Sequence, residues 1–113
     1  MDVNLMNCNR CGICNLTCPI YQVALSEVAS SRFKAVLAKK GELSSVFFLC
    51  TLCSGCIAGC PAKVIVDCFQ RRAELVKSGK EPRVNKVMRE NIARHGNPFG
   101  DISKQKKVRQ YYT

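Results

Sequence analysis

One pattern of cysteines constrains this chain more than anything else in it. The run Cys8-Asn9-Arg10-Cys11-Gly12-Ile13-Cys14-Asn15-Leu16-Thr17-Cys18-Pro19 returns as Cys50-Thr51-Leu52-Cys53-Ser54-Gly55-Cys56-Ile57-Ala58-Gly59-Cys60-Pro61, so C-x-x-C-x-x-C-x-x-x-C-P occurs twice and takes eight of the nine cysteines. In each run three thiolates within seven residues can wrap one face of a compact metal-sulfur core. The fourth cysteine lies outside that loop, and the proline after it ends the turn.

This is the spacing by which bacterial ferredoxins hold two 4Fe-4S clusters, and there the fourth cysteine of each run serves the other cluster. By that rule Cys8, Cys11, Cys14 and Cys60 hold the first cluster, and Cys18, Cys50, Cys53 and Cys56 the second. Crossed ligation would pin the two halves of the chain together and keep the clusters close. With a cysteine for every iron, electron transfer is the natural task, although a purely structural role for the metal is an alternative. Zinc also takes four thiolates, but its sites show pairs of C-x-x-C across a spacer rather than four cysteines in eleven residues. A disulfide framework would need an oxidising compartment, and nothing here suggests export. Gly12, Gly55 and Gly59 either let the backbone approach the clusters or simply permit tight turns.

At 113 residues the chain reads as one domain with a tail, with a modest apolar core that two clusters would staple. No stretch approaches the roughly 20 apolar residues of a membrane span, and the first seven residues lack the features of a signal peptide, so a reducing cytoplasm is expected. Charge is lopsided. Up to Cys60 there are five Lys or Arg against three Asp or Glu; from Pro61 onward there are thirteen against five. Two clusters at about -2 each would offset part of the net +10, and the remainder suits an acidic partner protein or solvated helix faces.

Between the runs, residues 20–40 carry a helical pattern. Pro19 fits a first helical turn, Val23, Ala24 and Val28 can form an apolar stripe, and Ser30 or Ser31 can cap a further helix that turns Phe33, Val36 and Leu37 inward and stops at Gly41. Val46-Phe47-Phe48-Leu49 reads as a short strand or a helical turn. After the second run, Ala62, Ile65, Val66, Phe69, Ala73 and Val76 recur at helical steps until Ser78-Gly79, with Cys68 inside that helix and read as core packing rather than a redox thiol. A last helix begins near Pro82, uses Val84, Val87, Met88 and Ile92, and ends at Gly96, where His95 can meet terminal carbonyls. Residues 1–100 form the expected domain; residues 101–113 form a basic tail with Lys104, Lys106, Lys107, Arg109, Tyr111 and Tyr112, read either as a partner-docking segment or as a frayed end.

With helices rather than short hairpins between its cysteine runs, the chain resembles the α-helical ferredoxin fold, a mainly α class. More narrowly it resembles the C subunit of heterodisulfide reductase and its relatives, which include the dicluster parts of anaerobic glycerol-3-phosphate, glycolate and lactate dehydrogenases. The resemblance rests on residues 8–19 and 50–61, with weaker support from Asn97-Pro98-Phe99-Gly100. Fused relatives continue into a domain with Cys-Cys-Gly motifs, and no adjacent cysteines occur here. The resemblance therefore implies a non-catalytic relay in a hetero-oligomer, carrying electrons from a flavin/iron-sulfur subunit to a separate catalytic subunit with Cys-Cys-Gly motifs. A free ferredoxin is the nearest alternative. A nucleic-acid-binding protein with structural clusters is the alternative from another class, but no recognition motif accompanies the basic half.

Overall fold

Short helices joined by tight turns build the chain, as expected for a mainly α protein. The computed structural model describes residues 2–105 and residue 107. Among them there is no strand, only one antiparallel bridge between Val3 and Ile65. The helices are α1 (Pro19–Ala24), α2 (Ser31–Lys39), α3 (Gly55–Ala58), α4 (Cys68–Lys77) and α5 (Arg83–His95), with 3₁₀ turns at Leu5–Asn7, Ile13–Thr17, Glu27–Ala29, Ser45–Leu49 and Ile102–Lys104. They group into two compact units that divide between Lys80 and Glu81.

Local sequence sets most boundaries of the first unit. Pro19 occupies the first turn of α1, where a missing N–H costs nothing. Ser30 caps α2 by accepting from the Phe33 N–H at 3.0 Å. At the other end Gly41 takes a φ of 72°, and the Gly41 and Glu42 amides return to the carbonyls of Ala38 and Leu37, a Schellman closure. The Val46-Phe47-Phe48-Leu49 stretch is a 3₁₀ turn whose Phe47 is wholly buried.

Two expectations need correction. Residues 62–66 are not helical: α4 starts only at Cys68, capped by the Asp67 carboxylate, which accepts from the Gln70 N–H at 2.9 Å. Lys63 turns left-handed at φ 55°, and Ile65 exchanges both backbone hydrogen bonds with Val3, a partner no local period reveals. Phe69 is consequently 69% exposed. The stripe of Val23, Ala24 and Val28 also faces water, because α1 ends after six residues at a left-handed Leu25 and leaves Val23 85% exposed.

The core of this unit is small, with Leu37, Phe47, Cys68 and Leu75 at its centre and Phe33, Phe48, Cys50 and Val66 packed around them. Burying a side chain such as Phe47 or Leu75 contributes about 1.5–3 kcal/mol each, which leaves a chain of this size dependent on further staples. Asp2 supplies one, accepting from the Asp67 N–H at 2.7 Å and pairing with Arg71. In the second unit the Glu81 carboxylate holds Asn85 and Arg89 at 2.8 and 2.7 Å. The Asn97-Pro98-Phe99-Gly100 segment is ordered, with the Asn97 carboxamide accepting from the Phe99 N–H and Asn91 donating to the Pro98 carbonyl. Lys106, Arg109, Tyr111 and Tyr112 of the tail lie outside the described residues.

Candidate metal centre

All nine cysteines line one cavity of about 350 Å³ in the first unit. Each run approaches it through the same unusual backbone. The residues before and after the middle cysteine are left-handed in both loops: Arg10 (62°) and Gly12 (83°) around Cys11, Leu52 (58°) and Ser54 (63°) around Cys53. Two left-handed residues in three turn a C-x-x-C-x-x-C segment back on itself, so its thiols face one side. Ordinary side chains disfavour this conformation, and at Gly12 a Cβ would also stand 3.0 Å from the Arg32 guanidinium. Gly55 answers a different demand. A Cβ there would sit 3.2 Å from the Thr17 carbonyl, so glycine lets α3 of the second run lie against the Ile13–Thr17 turn of the first.

That packing brings the cysteines of both runs to the walls of one cavity. Burial pushes the Cys14 thiol up to about 11, reinforced by the charges of Cys56, Cys11 and Cys8. Cys56 is pushed up by burial and then by Cys50, Cys53 and Cys18. Thiolates gathered like this repel one another, and positive metal charge would relieve it. Among the described residues no three Cys, His or acidic groups converge closely enough to hold a single ion. Sulfurs spread around a void fit a polyatomic core, so the donor set and the cavity suit iron-sulfur clusters.

Backbone amides and cations already turn toward individual sulfurs and loops. Cys50 Sγ accepts from the Leu52 N–H at 3.3 Å and Cys60 Sγ from the Val64 N–H at 3.4 Å. Burial works against ionising Cys18, but the Ser31 hydroxyl, the Tyr21 and Ile20 amides and the Lys34 charge outweigh it and lower its pKa. Cys50 is lowered by a hydrogen bond from the Cys68 thiol, against burial and helped by Leu52, Lys34 and Arg72. Cys68, the donor of that bond and itself buried, is pushed up and stays a thiol. Its place in the core is the packing role expected of it.

Sequence reasoning missed the residues that hold the loops. Lys39 Nζ donates to the carbonyls of Met6 and Cys8, both at 3.1 Å. Arg72 Nε donates to Phe47 O at 2.8 Å and its fork reaches the carbonyls of Phe48 and Cys50. Each run thus has the carbonyl of its first cysteine gripped by a helix-borne cation. The buried Asn15 accepts from the Arg32 N–H at 3.1 Å and donates to Glu27, whose carboxylate pairs with Arg32 at 2.7 Å. One signal was available: Lys34 lies three and four residues before Leu37 and Ala38, on the inward face of α2.

Residues 4–64 match the family described as 4Fe-4S dicluster domain. The chain belongs to that family. Two 4Fe-4S clusters and iron-sulfur electron transfer are accordingly its cofactors and its task. This dicluster domain is also 31% identical over 106 residues to the C subunits of H2:CoB-CoM heterodisulfide, ferredoxin reductase from Methanothermobacter thermautotrophicus and Methanothermobacter marburgensis. The alignment covers 88% of the chain and 57% of each relative, so the dicluster domain spans little more than half their length. No solved structure matches it significantly. No helix among the described residues is long and apolar enough to cross a membrane.

Proposed function

We propose that the chain relays single electrons through a cluster held by Cys8, Cys11, Cys14 and Cys60 and a second held by Cys18, Cys50, Cys53 and Cys56. In this reading it is a cytoplasmic subunit of a heterodisulfide reductase-like complex, taking electrons from a flavin/iron-sulfur subunit and passing them to a catalytic subunit with Cys-Cys-Gly motifs. The crossed spacing rule of two-cluster ferredoxins carries the ligand assignment, and all eight cysteines of the two runs lining one cavity support it. The charge of Cys18 acts on Cys56 of the other run, and that of Cys56 on Cys14, so the two runs meet across the cavity. The likeness to named heterodisulfide reductase subunits supports the choice of complex.

Both clusters bordering one cavity would keep the centres near each other, and the loop amides and cations would tune their potentials. Protein isolated without oxygen should contain about eight irons and eight sulfides per chain. Replacing Cys60 with serine should disturb the centre served by Cys8, Cys11 and Cys14 and spare the other, visible as loss of one of two signals in electron paramagnetic resonance. Loss of the other signal would reverse the assignment, and stoichiometric zinc without sulfide would remove the reading altogether. Isolation from the native source should bring a flavoprotein and a Cys-Cys-Gly subunit with it.

A further inference from the structure

Lys34 is a charged side chain in the interior. It is 3% exposed, its Nζ donates to the Ala29 carbonyl at 2.6 Å, and no carboxylate pairs with it among the described residues. A buried ammonium without a counter-charge is costly, and folded chains rarely keep one. The Lys34 side chain lines the cysteine cavity, and its charge acts on Cys18, Cys50 and Cys68. Cys18 and Cys50 fall in the same proposed set of four ligands, although they come from different runs.

The other set has a different neighbour. Arg32 lies over Gly12 and interacts with Cys14, but its side chain is 37% exposed and its guanidinium already paired with Glu27 at 2.7 Å. Water and a carboxylate cancel most of what Arg32 offers, whereas Lys34 acts through the interior, where screening is weak. Arg72 also acts on Cys50, after Lys34 in size, and so adds its charge to the same set.

We infer that Lys34 is the buried counter-ion of the set Cys18, Cys50, Cys53 and Cys56, and that it makes this centre the more easily reduced of the two. The inference rests on the proposed ligand assignment. Reduction adds one electron, supplied by the donor subunit; no bond is made or broken, and no proton is needed because the balancing charge is already in place. A fixed positive charge stabilises the more negative, reduced form and so raises the potential of the centre beside it.

The test is a redox titration of the full-length chain, isolated without oxygen and followed by electron paramagnetic resonance, for the wild type, Lys34→Met and Lys34→Arg. In Lys34→Met, with its iron intact, one couple should become at least tenfold harder to reduce, about 59 mV for one electron. The second couple should move far less, and Lys34→Arg should stay near the wild type. Two unmoved couples, or two that move equally, would overturn the inference while eight irons per chain left the relay reading standing. If Lys34→Met fails to keep its clusters, retention in Lys34→Arg upholds the need for charge, and loss in both overturns it. A wild type without two clusters would instead sink the relay reading.

Discussion

The two cysteine loops share a backbone and differ in what holds it. In the first, glycine takes the left-handed position after the middle cysteine, Lys39 reaches the Cys8 carbonyl from an exposed site, and the Asn15, Glu27 and Arg32 network fixes the turn that follows. In the second, Leu52 and Ser54 adopt the same conformation with full side chains, the 3₁₀ turn before it carries the buried Phe47, and Arg72 grips the Cys50 carbonyl beside the core. Both loops are largely exposed, but the first is held by a surface lysine and a polar network and the second by an arginine and a phenylalanine anchored at the core. One cysteine spacing can therefore serve two centres that differ in stability and potential, because the supporting side chains differ.

The largest effect should come from removing one proposed cluster ligand from each loop. Cys56→Ala takes metal from the loop that shares its core with Phe47 and Cys68, so it should abolish cooperative thermal unfolding of the first unit. Cys14→Ala should leave about four irons and a folded core. Iron content and circular dichroism of the two variants decide this, and equal collapse in both would break the comparison.

Much of this was readable in advance. Cysteine spacing predicted two tight loops, and Ser30, Gly41, Ser78-Gly79, Pro82 and Gly96 marked helix ends because caps and stops are local chemistry. What escaped was long-range. Residues 62–66 carry a helical period, yet Val3, some 60 positions away, claims Ile65, and the left-handed Lys63 breaks the pattern. Lys39 and Arg72 were invisible because they bind backbone carbonyls, which every residue offers and no sequence distinguishes. Asn15 escaped because nothing local in the run sets it apart: its burial and its bonds to Glu27 and Arg32 come from segments 12 to 17 residues away.

The second contrast concerns the cations. Arg72→Ala removes donors from the carbonyls of Phe47, Phe48 and Cys50 and a guanidinium stacked 5.7 Å over the Phe48 ring. It should destabilise the first unit by about 2–3 kcal/mol, since a charged donor is lost and partly buried acceptors are left unpaired. Lys39→Ala exposes its carbonyls to water, which replaces the lost donor, and should cost under about 1 kcal/mol. Chemical denaturation under anaerobic conditions would show whether the ratio runs this way.

The last contrast tests the left-handed positions, where the sign differs between loops and the smaller effect falls in the second. Gly12→Ala puts a Cβ on a residue at φ 83° and within 3.0 Å of Arg32. The left-handed penalty of about 1–2 kcal/mol adds to the displacement of a guanidinium, although its exposed end can swing aside, so the net cost should stay near about 2 kcal/mol. Ser54→Gly runs the other way: it relieves a similar penalty at φ 63° but gives the unfolded chain the extra freedom of glycine, worth about 0.5–1 kcal/mol. The relief outweighs the entropy, and stability should rise by about 0.5–1 kcal/mol. If Ser54→Gly instead loosened the second loop as much as Gly12→Ala loosens the first, the serine side chain would be supporting the fold, and anchoring by Arg72 and Phe47 would no longer explain how that loop tolerates a residue other than glycine.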